Sequence, residues 1–185
     1  MTKALVIIDM IKGQMKDTKN PKTIIKNQIN LIKEFNKSNY KVIFVRPGTD
    51  GPHTPNPVML RLWGDESKDD PEYLYPVEEL AGLKYDRIIK KPEYSAFYRT
   101  DLEEYLKDNN IDEVYLAGVF AGCCVYFTAV DAVYRHIQPY LITDACGFPV
   151  ESLTSSGWKQ NTLDRFKLML GPLITTAELI EEISK

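Results

Sequence analysis

Apolar residues fall along this chain in two alternating rhythms. Residues 4–8, Ala-Leu-Val-Ile-Ile, are apolar without interruption and stop at Asp9. A strand covered on both faces of a sheet has this composition. Tyr40–Val45, Asp86–Lys90, Val114–Gly118 and Tyr140–Thr143 read the same way, the last ending at Asp144. Between them the spacing changes. Ile25, Ile29, Ile32 and Phe35 lie on one stripe, so the pattern predicts an amphipathic helix over about 21–37, opened by Asn20-Pro21. Thr100 and Glu103 form a T-x-x-E capping box before a helix to about Lys107, with Leu102, Tyr105 and Leu106 inward. A helix from Cys123 to about His136 puts Cys124, Phe127, Thr128 and Asp131 on one face. Residues 152–169 predict another, with Trp158, Leu163, Phe166 and Leu170 inward or near its end, stopped by Gly171-Pro172. A second capping box, Thr175 and Glu178, opens a last helix carrying Leu179, Ile180 and Ile183.

Strands that alternate with helices predict an α/β fold with a largely parallel sheet. Two stretches resist the pattern. Residues 10–19 are polar and Lys-rich and read as a loop. Arg46 to about Val77 is crowded with proline and glycine in its first half and reads as a wall or lid of a substrate site.

Composition narrows the picture without changing it. With 185 residues, one domain spanning 1–185 is expected. A hydrophobic fraction of 44% and a charged fraction of 26% suit a globular protein. A net charge of −3 gives no footprint for nucleic acid or for an acidic membrane surface. The N-terminal apolar run is short and broken by Asp9, unlike a signal peptide. Three cysteines, two of them adjacent, argue against a disulfide framework and for a reducing cytoplasm. His53 and His136 are the only histidines, so no metal or other cofactor is expected; Asp50 and His53 are the one weak metal-ligand pair. A small molecule is the expected partner.

The candidate chemistry sits at strand ends. In a parallel sheet the C-terminal ends face the ligand crevice. Asp9 closes the first strand, Lys91 follows the third, and Cys123-Cys124 stand where a strand gives way to a helix. A helix start favours an anion, so a cysteine there is either an activated nucleophile or a small buried hydrophobe. Asp9 is either a functional carboxylate or a turn residue, and Lys91 either a site cation or half of an exposed Lys90-Lys91 pair. Taken together they make chemical sense. A carboxylate accepts a thiol proton, a lysine steadies the charges, and strand-to-helix amides offer an oxyanion site.

Four segments in this order resemble the isochorismatase-like cysteine hydrolase superfamily over about residues 4–179. They are ALVIIDM, IIKKPEYSAFYRTDLEEYL, LAGVFAGCCVYFTAVDA and LITDAC. The resemblance selects Lys91 over Lys90 by its distance from Ser95-Ala96-Phe97, and Cys124 over Cys123 as the cysteine before valine. It implies a three-layer α/β/α sandwich around a mainly parallel sheet of about six strands. It implies Asp9 as base, Lys91 as its electrostatic support and Cys124 as nucleophile on an amide or related carbonyl, through a thioester. It places a cis peptide at Val119–Phe120 and the oxyanion between the Phe120 and Cys124 amides. Substrate contacts would come from Tyr94, Phe97, Phe120 and Tyr126, each equally a core candidate, and the assembly would be a homodimer or homotetramer. The chain also departs from the family pattern. Met10-Ile11-Lys12-Gly13-Gln14 lacks the aromatic usual after the aspartate, and the metal triad of nicotinamidases is incomplete. A nicotinamidase with an altered metal site and a catalytically silent binding module are therefore the alternatives.

Overall fold

A computed structural model describes residues 2–48, 56–64, 70 and 72–185. The strands are β1 (Thr2–Ile8), β2 (Lys41–Pro47), β3 (Arg87–Lys91), β4 (Ile111–Gly118), β5 (Gln138–Cys146) and β6 (Leu173–Ile174). The helices are α1 (Lys12–Lys16), α2 (Pro21–Lys37), α3 (Pro57–Trp63), α4 (Glu78–Ala81), α5 (Leu102–Asp108), α6 (Cys124–Tyr134), α7 (Trp158–Met169) and α8 (Thr176–Ile183). The strands form one sheet in the order β3-β2-β1-β4-β5-β6, and every pairing is parallel.

The uninterrupted run in β1 follows from helices on both faces. Ala4, Val6 and Ile8 pack with Leu102 and Leu106 of α5, Val125 and Ala129 of α6, and Phe166 of α7. Leu5 and Ile7 point the other way, into a core with Leu31 and Phe35 of α2, Leu80 of α4 and Leu179 of α8. The period-two alternation of a strand thus fills two cores at once.

Several expectations need correction. Residues 12–16 are helical rather than loop. Pro57, read as a breaker, begins α3 instead: it is the first helical residue, and Asn56 Oδ1 accepts the Val58 amide at 2.9 Å. Asn20 does precede α2, but in a left-handed conformation without a side-chain cap. Thr100 forms no capping box. Its hydroxyl donates to Ala96 O at 2.5 Å, while Glu103 pairs with Lys107 and Arg135. The helix expected over 152–169 starts only at Trp158, because Gly157 at φ +85° breaks the chain there. Trp158 is 39% exposed, not inward. The box of Thr175 and Glu178 is reciprocal, as the sequence predicts.

β6 has no sequence signature. It is two residues long, and its partners are Leu141 and Ile142. That offset explains how Pro139 sits within β5. Its missing N–H falls before the first β6 pairing, so no bond of that ladder is lost.

Candidate active site

The strand order reverses between β1 and β4, since the chain runs outward from β1 in one direction and from β4 in the other. Ligand crevices of open parallel sheets lie outside the strand ends at such a point. Gly118, the last residue of β4, allows the two strands to meet there. Its φ is +122°, and a Cβ would stand 2.0 Å from Ile8 O. The turn that follows is pinned on both sides. Val119 N donates to Ile8 O and Ala121 N to Gly147 O, each at 2.9 Å. The Val119–Phe120 peptide, where the resemblance places a cis bond, is cis here.

Asp9 leaves β1 in a left-handed conformation, φ +53°, with its amide on Val45 O at 2.8 Å. Aspartate tolerates that conformation better than most residues. Lys91 approaches from β3, so its stem must reach past the end of β2 to that of β1, across two strand spacings of about 4.8 Å each. Its ammonium meets Asp9 Oδ2 at 2.7 Å, with the side chains 3% and 4% exposed. It also donates to Glu93 O at 2.9 Å, and the Cys124 sulfur lies close enough to act on its charge. Cys124, the first residue of α6, brings its thiol onto the Asp9 carboxylate from the β4 side. Asp9 is therefore the middle member of the group. Its second oxygen, Oδ1, is buried and has no hydrogen-bond partner among the described residues.

The electrostatics follow from burial. Desolvation pushes the Asp9 carboxyl above its ordinary value, against the pull of Lys91 and the Cys124 thiol. Burial disfavours the Lys91 charge, yet Asp9 and Cys124 together hold it protonated well above the usual lysine range. The hydrogen bond to Cys123, burial and the Asp9 charge all push the Cys124 thiol up, and only Lys91 pulls it down. This differs from the expectation of a thiolate favoured by Lys91 and the helix end. The fold therefore favours the thiol form of Cys124 over the thiolate.

Thr128 holds the frame. Its hydroxyl donates to Cys124 O at 2.7 Å and accepts the Ala96 amide at 3.0 Å, joining α6 to the turn after Lys91. The sequence placed Thr128 on the Cys124 face but gave it no role. Cys123 shares the strand-to-helix position of Cys124, and the Cys124 thiol lies close enough to lower its pKa.

The expected substrate aromatics separate. Tyr94 stacks on Phe127, centroids 5.2 Å apart, so the turn after Lys91 and the first turn of α6 share an aromatic wall. Phe97 is buried in the core beneath Arg135, and Tyr126 packs edge-on against Phe166 under Arg165. Phe120 packs against the α2-side core. The segment after Asp9 borrows a ring. Tyr73 lies on Gly13, where a Cβ would come within 2.3 Å, and Gln14 Nε2 donates to its hydroxyl at 3.4 Å. Asp50 and His53 lie outside the described residues. Among the described residues no cluster of three acidic, His or Cys side chains could hold a metal ion, and no helix is long and apolar enough to cross a membrane. The two most evident surface clefts lie elsewhere, between α2 and α4 and along the outer edge of β3. Neither holds a nucleophile with a base, so chemistry rather than concavity locates the site.

Comparison with known proteins agrees with this geometry. A cysteine hydrolase from Pseudomonas syringae pv. phaseolicola has the same fold, at TM-score 0.86 and 22% identity over 98% of this chain and 92% of its own. The N-carbamoylsarcosine amidase of Thermoplasma acidophilum is 27% identical, at TM-score 0.78 over 96% of this chain and 98% of its own. Enterobactin synthase component B of Escherichia coli is 34% identical over 84 residues, 45% of this chain, and the match spans only 30% of that protein. The isochorismatase domain model matches residues 3–178. Six parallel strands, helices on both faces and a match over almost the whole length leave one assignment: the chain belongs to the isochorismatase family.

Proposed function

We propose that this protein is a cysteine-dependent hydrolase that cleaves a C–N bond in a small amide or ureido compound. The observation that carries the reading is the unfilled Asp9 Oδ1 on a carboxylate that the Cys124 thiol touches. A buried acceptor beside a protonated thiol is a place for that proton to go. The similarity to an N-carbamoylsarcosine amidase along almost the full chain supports the bond class. A thiol nucleophile also suits a carbonyl better than the vinyl ether of an isochorismatase.

The steps balance as follows. Asp9 takes the Cys124 proton, and the sulfur attacks the carbonyl carbon. The tetrahedral oxyanion forms beside the Phe120 and Cys124 amides. The C–N bond breaks, and the amine or ammonia leaves with the proton from Asp9. Water, deprotonated by Asp9, then hydrolyses the thioester and restores the thiol. Lys91 stays charged throughout and limits the cost of moving a proton near a buried carboxylate.

The test is intact-mass trapping over a panel of primary amides, N-carbamoyl amino acids and a vinyl ether. A covalent acyl adduct should map to Cys124 and vanish in Cys124→Ala. Turnover of the vinyl ether that persists in Cys124→Ala would sink the proposal.

A further inference from the structure

Cys123 is a nucleophile that the hydrolytic scheme does not use. It caps α6 with φ −130° and ψ −106°, and its amide donates to Phe120 O at 2.9 Å. Its side chain adjoins that of Cys124 in sequence, and Lys91 lies close enough to act on its charge. The nearby Cys124 thiol and Lys91 lower the Cys123 pKa against burial and the Asp9 charge, and Cys123 remains partly accessible. An accessible thiol adjacent to a second thiol, with a lysine close to both, is the arrangement of a redox pair. Cys146 has neither property. It is buried, it donates to Leu116 O at 3.4 Å, and burial raises its pKa.

We propose that Cys123 and Cys124 are a peroxide-sensitive pair: a hydroperoxide oxidises Cys123, Cys124 closes the product to a disulfide between the two adjacent residues, and hydrolysis stops until a dithiol reopens it. In the first step the Cys123 sulfur attacks the terminal peroxide oxygen. The O–O bond breaks, the alcohol or water leaves with the thiol proton, and the sulfur gives up two electrons to become a sulfenic acid. In the second, Asp9 takes the Cys124 proton as it does in hydrolysis. The Cys124 sulfur attacks that of Cys123, the S–O bond breaks, and hydroxide leaves as water with that proton. A dithiol returns both electrons and leaves as its own disulfide.

Neighbouring Cα atoms are about 3.8 Å apart, less than the roughly 4.4 Å at which ordinary disulfides begin. Such a bond is strained, and strained disulfides are readily reduced. The geometry that rules out a structural disulfide here therefore suits a reversible one.

Titration with hydrogen peroxide, followed by intact mass and peptide mapping, tests the pair. Wild type should lose two hydrogens, its free thiols should fall from three to one, and the link should map to Cys123–Cys124. Dithiothreitol should reverse all three changes. Cys124→Ser should instead accumulate a dimedone-reactive sulfenic acid on Cys123. Cys123→Ser should form no link, and Cys146→Ser should behave as wild type. Dimedone labelling of Cys124 before Cys123, or a link to Cys146 or between two chains, overturns the proposal, as does oxidation that stops at a stable sulfenic acid in wild type. Only the loss of hydrolysis rests on the function proposed above. A protein that cross-links but hydrolyses nothing sinks the hydrolase reading alone. One that hydrolyses but never cross-links sinks this one alone.

Discussion

β1 carries an ionisable group at each end, and the two are built differently. At its start, Lys3 donates to Tyr115 Oη at 3.0 Å and pairs with Glu182. Glu113 lies 3.9 Å away, and the Tyr115 ring lies under the ammonium at 5.2 Å. The Lys3 side chain is 15% exposed and that of Glu182 49%, so water reaches the cluster. Past its end, Asp9 and Lys91 are almost fully buried and Asp9 Oδ1 is left without a partner. In the first cluster Lys3 has three oxygen partners within 4 Å, and water reaches the rest. The second keeps a costly buried oxygen unfilled beside a thiol, which a purely structural ion pair does not need. Incomplete satisfaction, more than charge itself, separates the two ends of the strand.

The largest expected effect tests that difference directly. Asp9→Asn keeps the shape and an oxygen for Lys91 but removes the base. We predict a fall in kcat/KM of about 10²- to 10⁴-fold on whichever amide is turned over. Alkylation of Cys124 by iodoacetamide at neutral pH should slow in parallel, because its thiol relies on Asp9. Near-wild-type turnover by the asparagine variant would remove Asp9 from the chemistry.

Lys91→Met comes next, and it acts on stability. The substitution leaves Asp9 buried without a counter-charge, a loss of about 3–5 kcal/mol. Denaturant unfolding measures it. The double variant Asp9→Asn/Lys91→Met should recover part of the loss, because no buried charge then remains. If both single variants and the double unfold alike, the pair is not coupled.

Much of this was legible in the sequence, and the parts that were not share a cause. The runs of β1 and β4 declare buried strands, and the stripe Ile25-Ile32-Phe35 declares a core helix. Asp9, Lys91 and Cys124 stand at strand ends, where position alone suggests a site. β6 escapes because two residues hold no period, and α3 because proline reads as a stop when it is in fact a first residue. The protonated Cys124 escapes for a different reason. Helix position and a nearby lysine are local and favour a thiolate, whereas burial and Asp9, which oppose it, arrive from the fold. Thr128 shows the same limit: its partner Ala96 is 32 residues away.

A pH profile sharpens the comparison by direction. Burial raises the Asp9 pKa above 3.8, and only the ionised form accepts the thiol proton. Activity should therefore be lost as pH falls through that raised value, so the acid limb of kcat/KM lies above the ordinary carboxylate range. In Lys91→Met the limb should move further up, because the pull of Lys91 is gone. A limb that stays fixed between wild type and Lys91→Met would assign it to another group.

The smallest effect belongs to the other end of β1. Lys3→Met removes one cation from a cluster that water already reaches, so its loss is about 1 kcal/mol or less. The folded-state pKa of Lys3 lies above its usual value, which fixes the sign of the pH dependence. Its contribution is complete below the ordinary lysine pKa and is lost only as pH rises through the higher folded one. Hydrolysis should be unchanged, since Lys3 and Asp9 lie at opposite ends of a seven-residue strand. Salt then separates the two ends. Exposed pairs are screened beyond about 10 Å at 0.1 M ionic strength and buried ones far less. The cost of Lys3→Met should shrink toward zero in molar salt, while that of Lys91→Met persists. Equal salt sensitivity at both ends would mean that the Asp9–Lys91 pair is open to solvent, and the unfilled oxygen would then be no more than a hydrated one.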